Sequence, residues 1–308
     1  MIRLSIIIPC HSRVDLLARC LASLDRYASP NTEIIVVDDG SPGACVSLLA
    51  LTFAQVRTIR HDRAKGFAAA INAGIQLSRG TFIELLNDDT QVCRGWDEQA
   101  LKAFVDERIG AVAPLVLQGK PHAGAARVDS AGDFYDPGGF AGKRWHGLRV
   151  TAIQPTQTIV QAASGSSMFL RRSALEKTGL FAESFGAYFE DVDLSLRLGQ
   201  AGYKILFQPD SIVWHAVGST YGQRGRTLVE NQSCNEEKLF WRHWARSWKY
   251  LVRHLVVLGA KSVRRMREGR FIPFAVGRVR AIADLWLKQD DRVPMLEPCF
   301  EDGGQSTP

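Results

Sequence analysis

The feature that most constrains this chain is the alternation, over its first third, of short apolar runs with helix-spaced apolar stripes. Leu4 to Ile8, Ile34 to Val37, Val56 to Ile59 and Phe82 to Leu86 form a series of largely apolar runs. Between them, Leu17, Cys20, Leu21 and Leu24, and then Phe67, Ile71, Gly74 and Ile75, recur at helical spacing. A strand that is apolar throughout must be covered on both faces, and amphipathic helices joined in sequence to such strands supply the cover. The pattern therefore predicts an α/β fold with a doubly wound, mostly parallel sheet. At 308 residues and 46% apolar content the chain can bury a large core, which excludes a disordered or fibrous protein.

Periodicity fades between Gly119 and Thr158, where Asp129-Ser130-Ala131-Gly132-Asp133-Phe134-Tyr135-Asp136-Pro137-Gly138-Gly139 reads as a long functional loop or a disordered one. Strand-like runs resume at Thr158 to Ala163 and Ser167 to Leu170. A helix follows over Asp191 to Ala201, with late strands at Ile205 to Phe207 and Ile212 to Trp214. Beyond Gly222 only helices are expected. At 100° per residue, a helix over Glu236 to Leu258 places Lys238, Arg242, Arg246, Lys249 and Arg253 within an arc of about 80°. Phe240, Trp241, Trp244, Trp248, Leu251, Leu255 and Leu258 lie opposite. The expected organisation is an α/β domain over 1–222 and a basic, amphipathic helical region over 223–308 with a flexible end.

Charge follows the same division. The net charge is +6, but Arg224 to Arg292 holds 16 Lys and Arg against 7 Asp and Glu, so the remainder is slightly acidic. This argues against nucleic acid as a partner of the body and leaves the tail two readings. Either the basic, indole-rich helix lies on an anionic membrane surface, or its aromatic face packs on the α/β domain or on a second copy in a homodimer. The 6 cysteines include no pair at the two-residue spacing of zinc or redox sites, so a reduced, cytoplasmic setting is expected. The N-terminal apolar run is broken by Pro9 and does not read as a signal peptide. No apolar run approaches the roughly 18 to 20 residues of a bilayer span. A location in the cytoplasm, or on the inner face of its membrane, follows as the expectation.

Candidate chemistry lies where apolar strands end. Val37-Asp38-Asp39-Gly40-Ser41 puts two acids at the end of the second strand, where open sheets bind ligands. The same residues also suit a plain Asx turn. Leu86-Asn87-Asp88-Asp89-Thr90 is a hard oxygen site suited to Mg2+ or Mn2+ shared with a substrate phosphate, or alternatively another polar turn. Tyr188-Phe189-Glu190-Asp191-Val192-Asp193 sets acids among apolar neighbours, the environment of a general base, although acids also favour a first helical turn without any catalysis. His215 closes a strand and is read as a metal ligand only in company with those acids. No G-x-G-x-x-G follows the first strand, which weighs against a dinucleotide-dependent dehydrogenase.

Together these segments resemble the family-2 inverting glycosyltransferases of the GT-A fold, in particular the rhamnosyltransferase-like branch. The resemblance runs from Leu4 to Thr220 and includes Gly66-Phe67-Ala68-Ala69-Ala70-Ile71-Asn72-Ala73-Gly74, Ser164-Gly165-Ser166-Ser167-Met168 and Gly179-Leu180-Phe181. It implies that Pro9, Asp38, Asp39, Lys65, Gly66, Asn72 and Asp88 bind the nucleotide of a nucleotide-diphosphate sugar donor. It further implies that Asp89 and His215 hold Mg2+ or Mn2+, that Asp191 is the catalytic base, and that Gly165 and Glu190 belong to the acceptor or sugar loop. Lys65 or Arg63 would face the departing diphosphate. Asn87 stands where relatives carry an acid, and Ala182 where they often carry Asp, which weakens the expected support around Glu183. The implied function is sugar transfer, rhamnose by resemblance alone, to a glycan or lipid-linked acceptor in surface polysaccharide assembly. The alternatives are a sugar-nucleotide nucleotidyltransferase and a non-catalytic nucleotide-sugar-binding or membrane-scaffold relative.

Overall fold

A computed structural model describes residues 2–121, 126–216, 225–287 and 293–296. The expected boundary at 222/223, Cys299 and the last residues lie outside these. The α/β portion opens with β1 (Leu4–Cys10), α1 (Val14–Tyr27), β2 (Thr32–Asp38), α2 (Cys45–Ala50), β3 (Val56–Arg60), α3 (Phe67–Leu77) and β4 (Phe82–Leu86). It continues with β5 (Thr90–Val92), α4 (Trp96–Lys102), β6 (Ile109–Gln118), β7 (Arg127–Ser130), β8 (Asp133–Asp136), β9 (Phe140–Lys143) and β10 (Thr158–Val160). Then come β11 (Ser167–Arg171), α5 (Arg172–Thr178), α6 (Glu190–Gln200) and β12 (Lys204–His215). Three helices close the described chain: α7 (Arg226–His243), α8 (Trp248–Arg267) and α9 (Phe271–Trp286).

The main sheet runs β10-β12-β6-β11-β4-β1-β2-β3, with β5 added to β12 and β7 to β6. β1 is buried along its whole length, as its apolar run requires, and pairs in parallel with β2 and β4. Because β2 and β4 lie on either side of β1, the carboxyl ends of these three strands open onto one crevice, the place where such sheets bind ligands. Asp38, Asp39, Asp88 and Asp89 all stand there.

The structure departs from the sequence reading in four places. β11 runs antiparallel to both β4 and β6, so the sheet is mixed. The two late strands are one, β12, interrupted by a register shift between Gln208 and Ile212. The stretch read as a long loop contains β7 and a β8–β9 hairpin, whose alternating buried and exposed side chains are too short a pattern to register in sequence. The single helix over Glu236 to Leu258 is broken between His243 and Trp248. That break turns Trp244 onto Tyr135 of the α/β portion (6.2 Å, 16°), and Phe240 stacks on His254 (3.8 Å, 7°). Half of the expected lipid-facing aromatic arc thus packs within the chain. Among the described residues, no helix is long and apolar enough to cross a membrane.

Glu84 is enclosed in this core. It accepts hydrogen bonds from Ser167 Oγ (2.9 Å) and Trp96 Nε1 (3.2 Å). Burial pushes its pKa up to about 8, with nearby Asp97 adding to the effect. A carboxyl whose folded pKa lies above its ordinary 4.5 contributes stability that is complete below that value and is lost as pH rises toward and through about 8. Glu84→Gln keeps the acceptor oxygen and removes the charge. Its melting temperature is expected to exceed that of the parent above about pH 8 and to fall less steeply with pH. A melt at alkaline pH in which the variant is no more stable than the parent contradicts this.

Candidate active site

At the end of β2 the two acids do different work. Asp38 is fully buried. Its oxygens accept from Ser41 N (2.7 Å), Ser47 Oγ (2.5 Å) and Arg60 Nη1 (2.6 Å). Burial would raise its pKa, but these hydrogen bonds hold it below the ordinary carboxylate range. A carboxylate so enclosed holds the turn together. Asp39 instead gathers the loop after β3: it accepts from Lys65 N (2.8 Å) and Gly66 N (2.9 Å) and meets His61 Nδ1 (2.8 Å). Gly40 permits that approach. Its φ is +68°, and an added Cβ would stand 2.5 Å from Arg63 C and Ala64 N. Lys65 is left exposed at the rim, and Pro9 lies in β1 opposite Val37.

Asn72, expected at the nucleotide, is a clamp. Its amide donates to Phe181 O (2.9 Å) and Glu183 Oε1 (2.9 Å) and accepts from Phe181 N (3.0 Å). This holds the segment before α6, including Glu183 beside Ala182, against α3. Ala68 N donates to Gly186 O (2.9 Å) nearby, so the loop gathered by Asp39 adjoins the approach to Asp191.

At the end of β4, Arg13 reaches from beyond β1 to both acids. It donates to Asp89 Oδ2 (2.8 Å) and Asp88 Oδ2 (3.2 Å) and also pairs with Asp88 Oδ1. Burial pushes the pKa of Asp88 up to about 6 despite Arg13. β12 pairs with β5 so that His215 stands opposite Thr90, which brings its Nε2 within 3.1 Å of Asp89 Oδ1. The other ring nitrogen meets Asp129 Oδ2 at 3.0 Å. Burial would lower the pKa of His215, but Asp129 and Asp89 raise it to about 9. Lys143 Nζ bonds the same Asp129 oxygen (3.0 Å). It stands opposite Asp133 in the hairpin. Burial and the charge of Asp191 push Asp133 up to about 7.

At the third corner, the half-buried Asp191 opens α6. Its Oδ2 accepts from Gly165 N (2.6 Å) and its Oδ1 from Val192 N (2.8 Å). Ser166 O accepts from Asn87 N (3.1 Å), so one short loop bonds both Asp191 and the residue that precedes Asp88 and Asp89. Burial raises Asp191 above the ordinary carboxylate range. Buried Glu190 beside it is raised further, by burial and then by Asp191, and Glu190 Oε2 has no hydrogen-bond partner. Tyr188 and Phe189, which lead into the helix, both have positive φ (74° and 72°), a conformation that bulky residues adopt only where their surroundings impose it. Asn235 of α7 is such a restraint. Its Nδ2 donates to Phe185 O (2.7 Å), Ala187 O (2.8 Å) and Tyr188 O (2.9 Å). Asp193, one turn into α6, meets Arg197 Nε (2.9 Å), His243 Nε2 (2.9 Å) and Arg242 Nε (3.2 Å), which fastens the end of α7 to the same helix.

Of the residues singled out in sequence, Asp39, Gly66, Asp88, Asp89, Gly165, Glu190, Asp191 and His215 are brought to one crevice, while Asp38 and Asn72 serve as its frame. Sequence reasoning missed Arg13, Asp129, Asp133, Lys143 and Asn235. Arg13 had a signal, since it follows β1 into the same crevice. Asn235 had none.

Among the described residues no three His, Cys, Asp or Glu side chains form a ready metal cage. Asp89 and His215 nevertheless present a hard oxygen and an imidazole nitrogen side by side, with Asp129 behind the other ring nitrogen. That carboxylate-backed histidine is a regular feature of metal ligation. Mg2+ and Mn2+ commonly take their remaining ligands from water and substrate phosphate, so the donor set fits such an ion.

Residues 5–179 match the sequence model of Glycosyl transferase family 2, and residues 142–276 that of Glycosyl transferase family group 2. The chain therefore belongs to glycosyl transferase family 2. It is 30% identical over 216 residues to the pre-mycofactocin glycosyltransferase of Mycobacterium tuberculosis, covering 68% of this chain but only 42% of that protein's length. It is 27% identical over 230 residues to the N-acetylglucosaminyl-diphospho-decaprenol L-rhamnosyltransferase of the same organism, covering 67% of this chain and 74% of that protein. Among solved structures, the Pyrobaculum calidifontis mannosyltransferase PcManGT in complex with GDP-Man and Mn2+ superposes with TM-score 0.57 at 15% identity, over 93% of this chain and 88% of that one. GalNAc-T7 with UDP, GalNAc and Mn2+ superposes with TM-score 0.58 at 19% identity, over 70% and 43%. The fold is GT-A.

Asn235→Ala releases the carbonyls before Asp191 without touching the crevice. Turnover, read as donor hydrolysis or transfer, is expected to drop about 10- to 100-fold with little change in the donor KM, because Asp191 is displaced and the β2 end of the crevice is not. Unchanged turnover in a folded variant contradicts the restraint.

Proposed function

We propose that this family-2 glycosyltransferase moves a sugar, with inversion at its anomeric carbon, from a nucleoside-diphosphate donor to a hydroxyl of a glycan or lipid-linked glycan in surface polysaccharide assembly. The observation that carries the reading is Asp191: a desolvated carboxylate held by Val192 N and by Gly165 N of a loop whose Ser166 O also accepts from Asn87 N, next to Asp88 and Asp89. The mycobacterial rhamnosyltransferase supports rhamnose as the sugar and a lipid-linked acceptor, and the PcManGT and GalNAc-T7 structures with Mn2+ support a divalent ion.

An acceptor hydroxyl is a poor nucleophile at neutral pH. As its oxygen bonds to the anomeric carbon, its proton passes to Asp191, and the bond from that carbon to the diphosphate oxygen breaks with its electron pair going to the leaving group. General-base assistance of this kind is worth about 10²- to 10⁴-fold. Burial raises the pKa of Asp191, which makes it a stronger base than an exposed Asp. Burial and the neighbouring Asp191 raise Glu190 well above its ordinary value, which disfavours its charged form. Arg13, Lys65 and Arg63 are the cations placed to face the developing diphosphate charge. A divalent ion held by Asp89 and His215 would add electrostatic stabilisation of that leaving group. In this proposal Asp39 and Gly66 bind the nucleoside, while Asp38 and Asn72 support it from behind.

Asp191→Asn is expected to lower transfer by about 10³-fold or more while leaving donor affinity within a few-fold. Persisting turnover sinks the base assignment. Donor class is read from thermal shifts with uridine, thymidine and guanosine diphosphates, each with and without Mn2+, since a ligand of the native state raises its stability by mass action. One nucleotide is expected to stand out and to need the ion. A panel with no shift at all contradicts the reading.

A further inference from the structure

We propose that α8 and α9 form a platform by which the chain lies on an anionic lipid surface. Both helices are pinned to α7 by a buried ionic cluster: Glu237 meets His254 (3.2 Å) and Arg278 (2.6 Å), and Glu236 pairs with Lys261 and Arg278. On α9, Pro273, Phe274, Gly277 and Ala281 are buried. The faces turned away from α7 are nonetheless apolar. On α8, at 100° per residue, Trp248, Val252, Leu255, Val256, Val263 and Met266 fall within an arc of about 100°, and all are exposed, Trp248 at 71%. On α9, Ile272, Val276, Val279 and Trp286 form the matching stripe, with Trp286 at 81%.

An outward apolar stripe on each of two neighbouring helices is the reverse of what a solvated helix presents, and marks a surface that something covers. The margin names the occupant. Lys249 and Arg267 border the α8 stripe, Arg246 and Arg270 precede the two helices, and all four are exposed with no ionic partner among the described residues. Two copies meeting through this face would set like charges against each other, whereas lipid headgroups of negative charge complement them. Indoles at the edge of an apolar face with cations beside it are what an interfacial helix needs. The platform differs from the aromatic arc expected from sequence, since Phe240 and Trp244 are turned inward. It goes beyond the transferase reading and does not depend on it.

The test is sedimentation of the full chain with phosphatidylcholine vesicles and with mixed phosphatidylcholine–phosphatidylglycerol vesicles, at low and high salt. Binding to the anionic vesicles is expected, weakening with salt and falling about tenfold or more in the double variant Leu255→Glu, Val279→Glu. Both positions are well exposed, so its melting temperature is expected to match the parent. Lys249→Glu with Arg267→Glu should weaken anionic binding selectively. Asp191→Asn should bind vesicles as the parent does, which separates this proposal from the catalytic one. No vesicle binding at low salt overturns it. So does binding indifferent to the Leu255 and Val279 changes, or sedimentation equilibrium showing a dimer that those changes dissolve in the absence of lipid.

Discussion

Like-charge repulsion among buried acids is the constraint around which this structure is arranged. Asp88, Asp89, Asp129, Asp133, Glu190 and Asp191 stand around one crevice, where burial disfavours each charge and proximity disfavours them jointly. The chain answers with cations drawn from distant parts of the sequence. Arg13 spans Asp88 and Asp89; His215, charged only until a metal ion takes the place of its proton, joins Asp89 to Asp129; and Lys143 lies on Asp129 with its charge felt by Asp133 and Asp191. Among the described residues no such cation pairs with Glu190, and burial together with Asp191 raises its pKa well above the ordinary range. A cleft balanced like this keeps its acids side by side without collapsing into mutual avoidance.

The C-terminal helices belong to the same argument. Asn235 binds the carbonyls on the approach to Asp191, and Asp193 takes Arg242 and His243 from the end of α7. The proposed role of Asp191 as base needs a carboxylate held in place as well as desolvated, and the holding comes from a region whose composition suggested a separate tail. Positive φ at Tyr188 and Phe189 is sustained by that restraint, because two bulky residues would otherwise relax toward ordinary backbone angles. Charge balance and loop geometry are thus supplied by different elements to the same few side chains.

The acids were legible because the sheet makes them so: an apolar run that ends in Asp-Asp can only end at the crevice, and this holds for Asp39 and Asp89. Asp38 and Asn72 were read as ligands because polar side chains at a strand end and in a helix look alike whether they face a substrate or a neighbouring backbone. Only the serines around Asp38, and the arrival of Phe181 and Glu183 beside Asn72, separate the two cases. The antiparallel β11 was hidden because a buried strand carries no direction in its apolar pattern. Asp129 lies in β7, four residues paired with β6, and Lys143 in β9 of a separate hairpin, and no local signal specifies that the two meet.

The central claim is that Asp89 and His215 hold a divalent ion at the diphosphate end of the crevice that Asp191 closes. Electron–nuclear double resonance of the full chain with Mn2+ and the nucleoside diphosphate that binds it tests this most directly. The account predicts phosphorus and imidazole-nitrogen couplings on the same ion, with the nitrogen coupling lost in His215→Ala. Phosphorus coupling without any protein nitrogen, or a nitrogen coupling that survives in that variant, would contradict it.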